Sequence, residues 1–258
     1  MTLTPVIFLL ISSLAFVCEF IDAGLGMGYG TIMTPLLILG GLEPATVVPA
    51  VLLSQACGGL SASVFHHRFA NASFTRHSRD SRAALLIAGF GIAATVIGAL
   101  IAINIPSAFL KTYIGVLVTV MGILILRRKV FTFSWKKMMA VGVISAFNKG
   151  LSGGGYGPVV TAGQILAGQN YKAAIGVTTL AEVPICLCGF LTYLVGKNMK
   201  GVPVVSKDLL FALLLGAILA GPCGALSTKN FKSDRLPLLL GGFIVLLGIL
   251  TLAKTLSP

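Results

Sequence analysis

The chain has 258 residues, 56% hydrophobic and only 10% charged, with a mean hydropathy of +0.99 and a formal net charge of +12. Soluble domains carry about a quarter of their residues as charges, so a fold surrounded by water lacks the polar surface it needs here. The basic excess is no nucleic-acid footprint either, because no stripe of Lys and Arg is interleaved with aromatics.

The first apolar run, 5–23, follows no basic n-region and carries no small-x-small cleavage pattern. It reads as a membrane segment and not as a removable signal peptide. Further segments follow at 28–41, 44–65, 82–103 and 106–126, then at 136–149, 155–169, 172–195, 207–227 and 236–256. Ala83 to Leu110 and Leu209 to Thr228 hold no charged residue at all. About 20 helical residues cross the ~30 Å hydrocarbon layer, and these runs suffice. The stretches 138–148 and 158–168 are too short to cross, so this pair is expected to form a hairpin of half-helices near the membrane middle. The corresponding first-half pair either crosses fully or breaks at its glycines. The expected fold is an all-α polytopic protein of about ten hydrophobic segments, integral to a cell membrane such as the bacterial inner membrane.

Residues 26–71 and 153–198 align without a gap at an offset of 127, with eleven of 46 positions identical. The shared feature is a glycine-rich break, GLGMGYG at 24–30 and LSGGGYG at 151–157. The chain thus divides into repeats 1–131 and 132–258, which together form one transmembrane domain. Two crossings and one re-entrant hairpin both return the chain to its starting side. Each half then makes an odd number of crossings, and the repeats are expected to have inverted topology, as in many secondary transporters. With the N-terminus outside, thirteen of the nineteen Lys and Arg fall in loops on the cytoplasmic side, around 68–82, 127–137, 172 and 229–235.

Matched interruptions of hydrophobic segments mark a transporter's substrate site. The breaks contribute Gly28, Tyr29 and Gly30 from one half and Ser152, Gly153, Gly154, Gly155, Tyr156 and Gly157 from the other. Gly157-Pro158 reads as an N-cap and N1 pair opening a half-helix, whose N-terminus suits an anion. The alternative is simple close packing of helices through small residues. Asn148 and Lys149 lie just before the second break. A lysine at that depth supplies a full positive charge to an anion, or else it snorkels to the interface. Gln55 and Glu182 occupy equivalent repeat positions, and Glu182 either binds a proton or pairs with Lys149. Thr34, Thr161, Thr178 and Thr179 complete the candidate set. Glu19 and Asp22 are weaker candidates, Asp22 being placed close to the interface.

The five cysteines fall in apolar segments and read as core filling, with no metal pair. His66, His67 and His77 read as solvated loop residues, without the acids or thiols a metal site would add. The sequon at Asn71 is on the expected cytoplasmic side and reads as chance. No nucleotide-binding motif and no cofactor or metal site is expected.

The stretch FNKGLSGGGYGPVVTAGQILAGQNYKAAIGVTTLAEVPICLCGFLTY at 147–193 closely resembles the second-half signature of the TauE/SafE sulfite-exporter family of membrane permeases. Residues 24–71, ending VFHHRFAN, resemble that family's first repeat, although Met27 interrupts its run of glycines. The resemblance implies transport of a small anion such as sulfite or an organosulfonate, without selecting the anion. The implied partners are that anion, the lipid bilayer and protons as a coupling ion; a homo-oligomer is compatible. A passive anion channel is the other reading, and enzymatic activity is not expected because no nucleophile–base pair stands at membrane depth.

Overall fold

The computed structural model describes residues 3–127, 135–199, 205–228 and 236–256. Among these residues there are ten helices and no strand: α1 (Pro5–Leu25), α2 (Tyr29–Leu39), α3 (Pro44–Arg68), α4 (Arg79–Asn104), α5 (Ser107–Arg127), α6 (Trp135–Ser152), α7 (Gly157–Leu166), α8 (Tyr171–Asn198), α9 (Lys207–Ser227) and α10 (Leu236–Leu256). In hydrocarbon each backbone N–H and C=O must find a partner within the protein, and a helix meets that demand within one segment. Capping chemistry sets the ends. The Thr4 side chain accepts from Ile7 N at 3.4 Å with Pro5 in the first turn, and Ser78 and Asn170 cap α4 and α8 in the same way. Seven helices (α1, α3, α4, α5, α8, α9 and α10) are long and apolar enough to cross a membrane, so the protein is an integral, multi-pass membrane protein.

The first-half pair is broken at its glycines, since α2 has only 11 residues. The second-half pair differs from expectation. α7 is short at 10 residues, but α6 runs for 18, through Asn148 and Lys149 to Ser152. Polar side chains do not end a helix whose backbone bonds remain intact, and Lys149 gains a buried partner described below. α7 also begins at Gly157 with Tyr156 as its N-cap, so Pro158 is its second residue.

Hydrogen bonds fix which ends share a face. Leu3 N donates to Asp208 Oδ2 at 3.1 Å, Lys254 Nζ to Leu39 O at 2.8 Å, Lys111 Nζ to Glu43 Oε1 at 2.7 Å and Lys197 Nζ to Ala45 O at 3.1 Å. Leu3 and Asp208 line one cavity with Gly41, Leu42 and Glu43, so the start of α1 and the end of α2 lie together. On the other face, Gln169 Nε2 donates to Asp80 Oδ1 at 3.3 Å, which places the end of α7 beside the start of α4. Arg68, Arg76, Arg79, Arg82 and Lys172 belong to this second face. Arg128, Lys129, Lys200, Lys229, Lys232, Arg235, the side chains of Lys136 and Lys137, and the boundary between the repeats lie outside the described residues.

α1 packs on α9 and α4 on α6; α3 packs on α9 and α4 on α8; α3 and α8 meet centrally, and α5 pairs with α10. Small residues allow the close approaches. A Cβ on Gly216 of α9 would lie 2.2 Å from Ser12 O of α1, and one on Gly98 of α4 would lie 2.3 Å from Phe147 O of α6. Leu85, Phe90, Ile97, Phe211, Leu219 and Leu246 point outward, the apolar perimeter that lipid requires.

Candidate functional site

The two glycine breaks cross each other in the interior. A Cβ on Gly30 would stand 1.8 Å from Gly153 O and 3.0 Å from Lys149 Nζ, and one on Gly157 would stand 2.6 Å from Gly26 O. Gly26 and Gly153 have φ of 74° and 75°, the left-handed region that side chains other than glycine's enter only at a cost. The contacts are reciprocal. A Cβ on Gly26 would meet Thr161 Oγ1 at 2.5 Å, and one on Gly153 would meet Thr34 Oγ1 at 2.8 Å. Gly26 and Gly153, like Thr34 and Thr161, stand 127 positions apart.

Beside this crossing runs a chain of buried polar groups. Asp22 accepts from the Tyr29 N–H at 3.2 Å through Oδ1 and from Gln55 Nε2 at 3.2 Å through Oδ2. The Gln55 carbonyl accepts from the Lys149 ammonium, which also lies 2.7 Å from Glu182 Oε1. Lys149 is 1% exposed, and Gln55, Asp22 and Glu182 are equally withdrawn from the surface. Lys149 therefore does not snorkel, and Asp22 does not sit at the interface. Again the sequence offset organises the set: Asp22 and Lys149 are 127 apart, as are Gln55 and Glu182. An acid–amide pair from one half faces a lysine–acid pair from the other. Breaking a buried ion pair leaves a charge in a medium that solvates it poorly, so these groups are held to one another.

The other sequence candidates fall into three groups. Gly30, Gly153 and Gly154 form the crossing, Gly28 and Tyr29 face residues of their own half, and Gly155 N donates to Thr31 Oγ1 at 3.1 Å to tie the crossing together. Ser152 and Thr161 brace it: Ser152 Oγ donates to Asn148 O at 2.7 Å, Thr161 Oγ1 donates to Gly26 O at 2.9 Å, and Gln164 Nε2 donates to Thr178 Oγ1 at 2.7 Å. Asn148 and Thr179 point elsewhere. Asn148 Oδ1 accepts from Tyr113 OH on α5 at 2.5 Å, and Thr179 Oγ1 donates to Ile175 O of its own helix at 2.9 Å. Tyr29 OH lies 2.7 Å from Ser54 Oγ. Its counterpart Tyr156 has no hydrogen-bond partner for its hydroxyl, because Ala181 stands where Ser54 stands in the first half. The Thr34 hydroxyl is likewise buried and unpartnered.

Thr31 and Ser54 were not legible as site residues from their types alone, and Asp22, a weaker candidate in the sequence, stands at the centre of the set. The offset that equates Asp22 with Lys149 is the signal that finds the most important of them. His66 is also a correction, being buried in the last turn of α3 and not solvated. Its Nε2–H donates to Ala23 O at 3.0 Å while Nδ1 accepts from Asn71 Nδ2 at 3.1 Å, and that same amide donates to Ala225 O at 2.7 Å. The Asn71 amide is thus a buried structural link. Its helix-end clasp has a counterpart in the second half, where Tyr193 OH donates to Gly150 O at 3.1 Å. His66 and Tyr193, and Ala23 and Gly150, are again 127 apart. His67, in the last turn of α3, and His77, in the loop that follows, are both exposed, so only His77 is the solvated loop residue expected.

A multi-pass helical bundle whose two interrupted helices meet around a buried charge cluster belongs to the membrane transporters. More narrowly, the chain belongs to the sulfite exporter TauE/SafE family, which it matches over residues 11–251. It is 27% identical over 248 residues to the probable membrane transporter protein YtnM of Bacillus subtilis (strain 168), covering 91% of this chain and 79% of that relative. No solved structure matches the chain.

Proposed function

We propose that the protein is a secondary transporter for a small, sulfur-containing anion such as sulfite or an organosulfonate, which binds between two inverted repeats at the crossing of the glycine breaks. Support for the inverted arrangement comes from the reciprocal contacts between positions 127 apart, and from the α1–α2 pair opening on one face while α7 ends on the other. The observation that carries the anion reading is Lys149, a full positive charge buried beside the backbone of both breaks. In this conformation the protein's own carboxylates occupy the places an anion would take. Glu182 holds the ammonium, and Asp22 holds the first N–H of α2. A substrate anion displaces Glu182 from Lys149 and gains the free hydroxyls of Tyr156 and Thr34. Because Lys149, Gln55 and Glu182 are sealed from both faces, passage requires alternating exposure, which favours a carrier over an open channel.

The test uses purified protein, thermal-shift measurements and sulfite, sulfate, thiosulfate and sulfoacetate as probes. One of these is expected to stabilise the wild type. Lys149→Ala abolishes that shift. Glu182→Gln, which removes the internal competitor and keeps the lysine, is expected to tighten binding about tenfold, or ~1.4 kcal/mol. Weaker binding in Glu182→Gln, or an unchanged shift in Lys149→Ala, overturns the assignment. Flux in proteoliposomes that never runs against the anion's own gradient under any imposed ion gradient favours a channel.

A further inference from the structure

Glu19 on α1 is fully buried, and neither of its carboxylate oxygens has a hydrogen-bond partner. Every other acid of the cluster is matched: Asp22 accepts two N–H groups and Glu182 holds Lys149. Glu19 instead lies against the smallest surface the bundle offers. A Cβ on Gly58 of α3 would stand 2.9 Å from its Cδ and its Oε1, and the same Cβ would stand 2.9 Å from the Ala217 Cβ of α9. The charged and titratable groups near Glu19 are Asp22 and Cys18 on its own helix, Tyr29 on α2, Lys149 on α6, and Glu182 and Cys186 on α8. On α3 the residue beside its carboxylate is Gly58, which Ala217 of α9 also approaches.

The second repeat shows that packing does not demand an acid here. The positions equivalent to Glu19 and Gly58 are Ala146 and Ile185, and they fill the corresponding space with apolar volume, both within 3.3 Å of where a Cβ on Gly91 would lie. The first repeat keeps a carboxyl group and clears a glycine for it. An unmatched buried carboxylate is costly, so its presence where an apolar pair suffices needs a use.

We propose that Glu19 is the proton-binding group that couples a pH gradient to anion movement, a role that rests on the transporter reading above. The carboxylate takes a proton from water on one face, forming an O–H bond, and returns it to water on the opposite face after the carrier reorients. An ionised Glu19 repels an anion arriving at Lys149, whereas a protonated Glu19 does not. Proton and anion therefore favour each other's binding, and the linkage is reciprocal. Glu182, being committed to Lys149, serves as the anion's competitor and not as the proton carrier.

Glu19→Gln mimics the protonated state in the same volume. In the wild type, affinity for the stabilising anion of the thermal-shift series rises as pH falls, by up to tenfold per pH unit. In Glu19→Gln it is high and flat with pH, anion exchange persists, and accumulation driven by a pH gradient is lost. Infrared difference spectra across a pH titration give a readout independent of any substrate: the protonated-carboxyl band of the wild type disappears in Glu19→Gln and persists in Glu182→Gln. If Glu19→Gln does not fold, Glu19→Ala, which installs the residue found at position 146, replaces it in each arm. A band unchanged by either substitution, or gradient-driven accumulation retained without Glu19, overturns the proposal. If no anion stabilises or exchanges in any variant, the transporter reading fails while the infrared result still decides whether Glu19 takes a proton.

Discussion

Lys149→Met should be far more damaging alone than in company with Glu182→Gln. The lysine ammonium sits 2.7 Å from Glu182 Oε1 and also donates to the Gln55 carbonyl, with almost no contact with water. At that separation, and with an effective dielectric of about 20, the gross attraction is roughly 6 kcal/mol. Much of it offsets the cost of taking both ions out of water. Removing only the lysine leaves Glu182 as an uncompensated buried charge, a loss typically of about 3–5 kcal/mol. Removing both charges leaves two neutral side chains of similar length, and most of that loss is expected to return. For a chain of this size the single variant then melts on the order of 10 °C below the wild type, and the double variant within a few degrees of it. Thermal unfolding in one detergent, followed by circular dichroism for wild type, both singles and the double, yields the coupling between the two residues. A single lysine variant that melts like the wild type, or no lower than the double, would show that the ion pair does not hold the site together.

The remaining expectations concern the frame around that site. Gly30→Ala should abolish anion binding and lower the melting temperature because its Cβ collides with the Gly153 carbonyl at 1.8 Å, whereas Gly89→Ala and Gly142→Ala, with nothing within 4 Å, should be neutral or slightly stabilising in the same melts. His66→Ala and Tyr193→Phe should each cost about 1–3 kcal/mol, since each removes a buried side-chain donor from a helix-end carbonyl, Thr228 Oγ1 remaining on Ala23 O at 3.2 Å in the first case; a melt unchanged for one and lowered for the other would break their equivalence. Single cysteines at Thr75 and Ala108, in a protein stripped of its native thiols, should label from opposite sides of intact cells, with Ala108→Cys reached from outside and Thr75→Cys only after permeabilisation. Hydrogen bonds from Lys111 and Ser107 hold the Glu43 carboxyl below its usual range at the face shared by α3 and α5. A lowered acid stabilises the folded state only where it is ionised, so this contribution is present above about pH 4.5 and fades as pH falls below it. The pair is partly exposed to solvent, so Lys111→Ala should change stability by less than about 1 kcal/mol in a melt at neutral pH.

Composition and periodicity were sufficient for the membrane environment, the helical class and the half-length α7, because hydrocarbon leaves the backbone few options and glycine runs interrupt what remains, whereas only the structure decided that the first-half pair breaks and leaves α2 at 11 residues. The offset of 127 in the sequence already held more than those breaks: it equates Asp22 with Lys149, Gln55 with Glu182, and His66 with Tyr193. What the offset does not contain is distance. That Lys149 is held by Glu182 and by Gln55, and is not exposed at an interface, depends on α6 continuing to Ser152 and on α3 and α8 meeting at the centre. The burial of His66 depends on where α1 ends beside α3, which its neighbours in the chain do not encode. Asn148 and Thr179 had the right chemistry for a site, but helical geometry turns Asn148 toward α5 and Thr179 onto its own backbone. Residue type and spacing decide which side chains can serve an anion. Only packing decides which of them share a dielectric, because a buried charge takes its energy from whatever lies within a few ångströms, however far away in the chain.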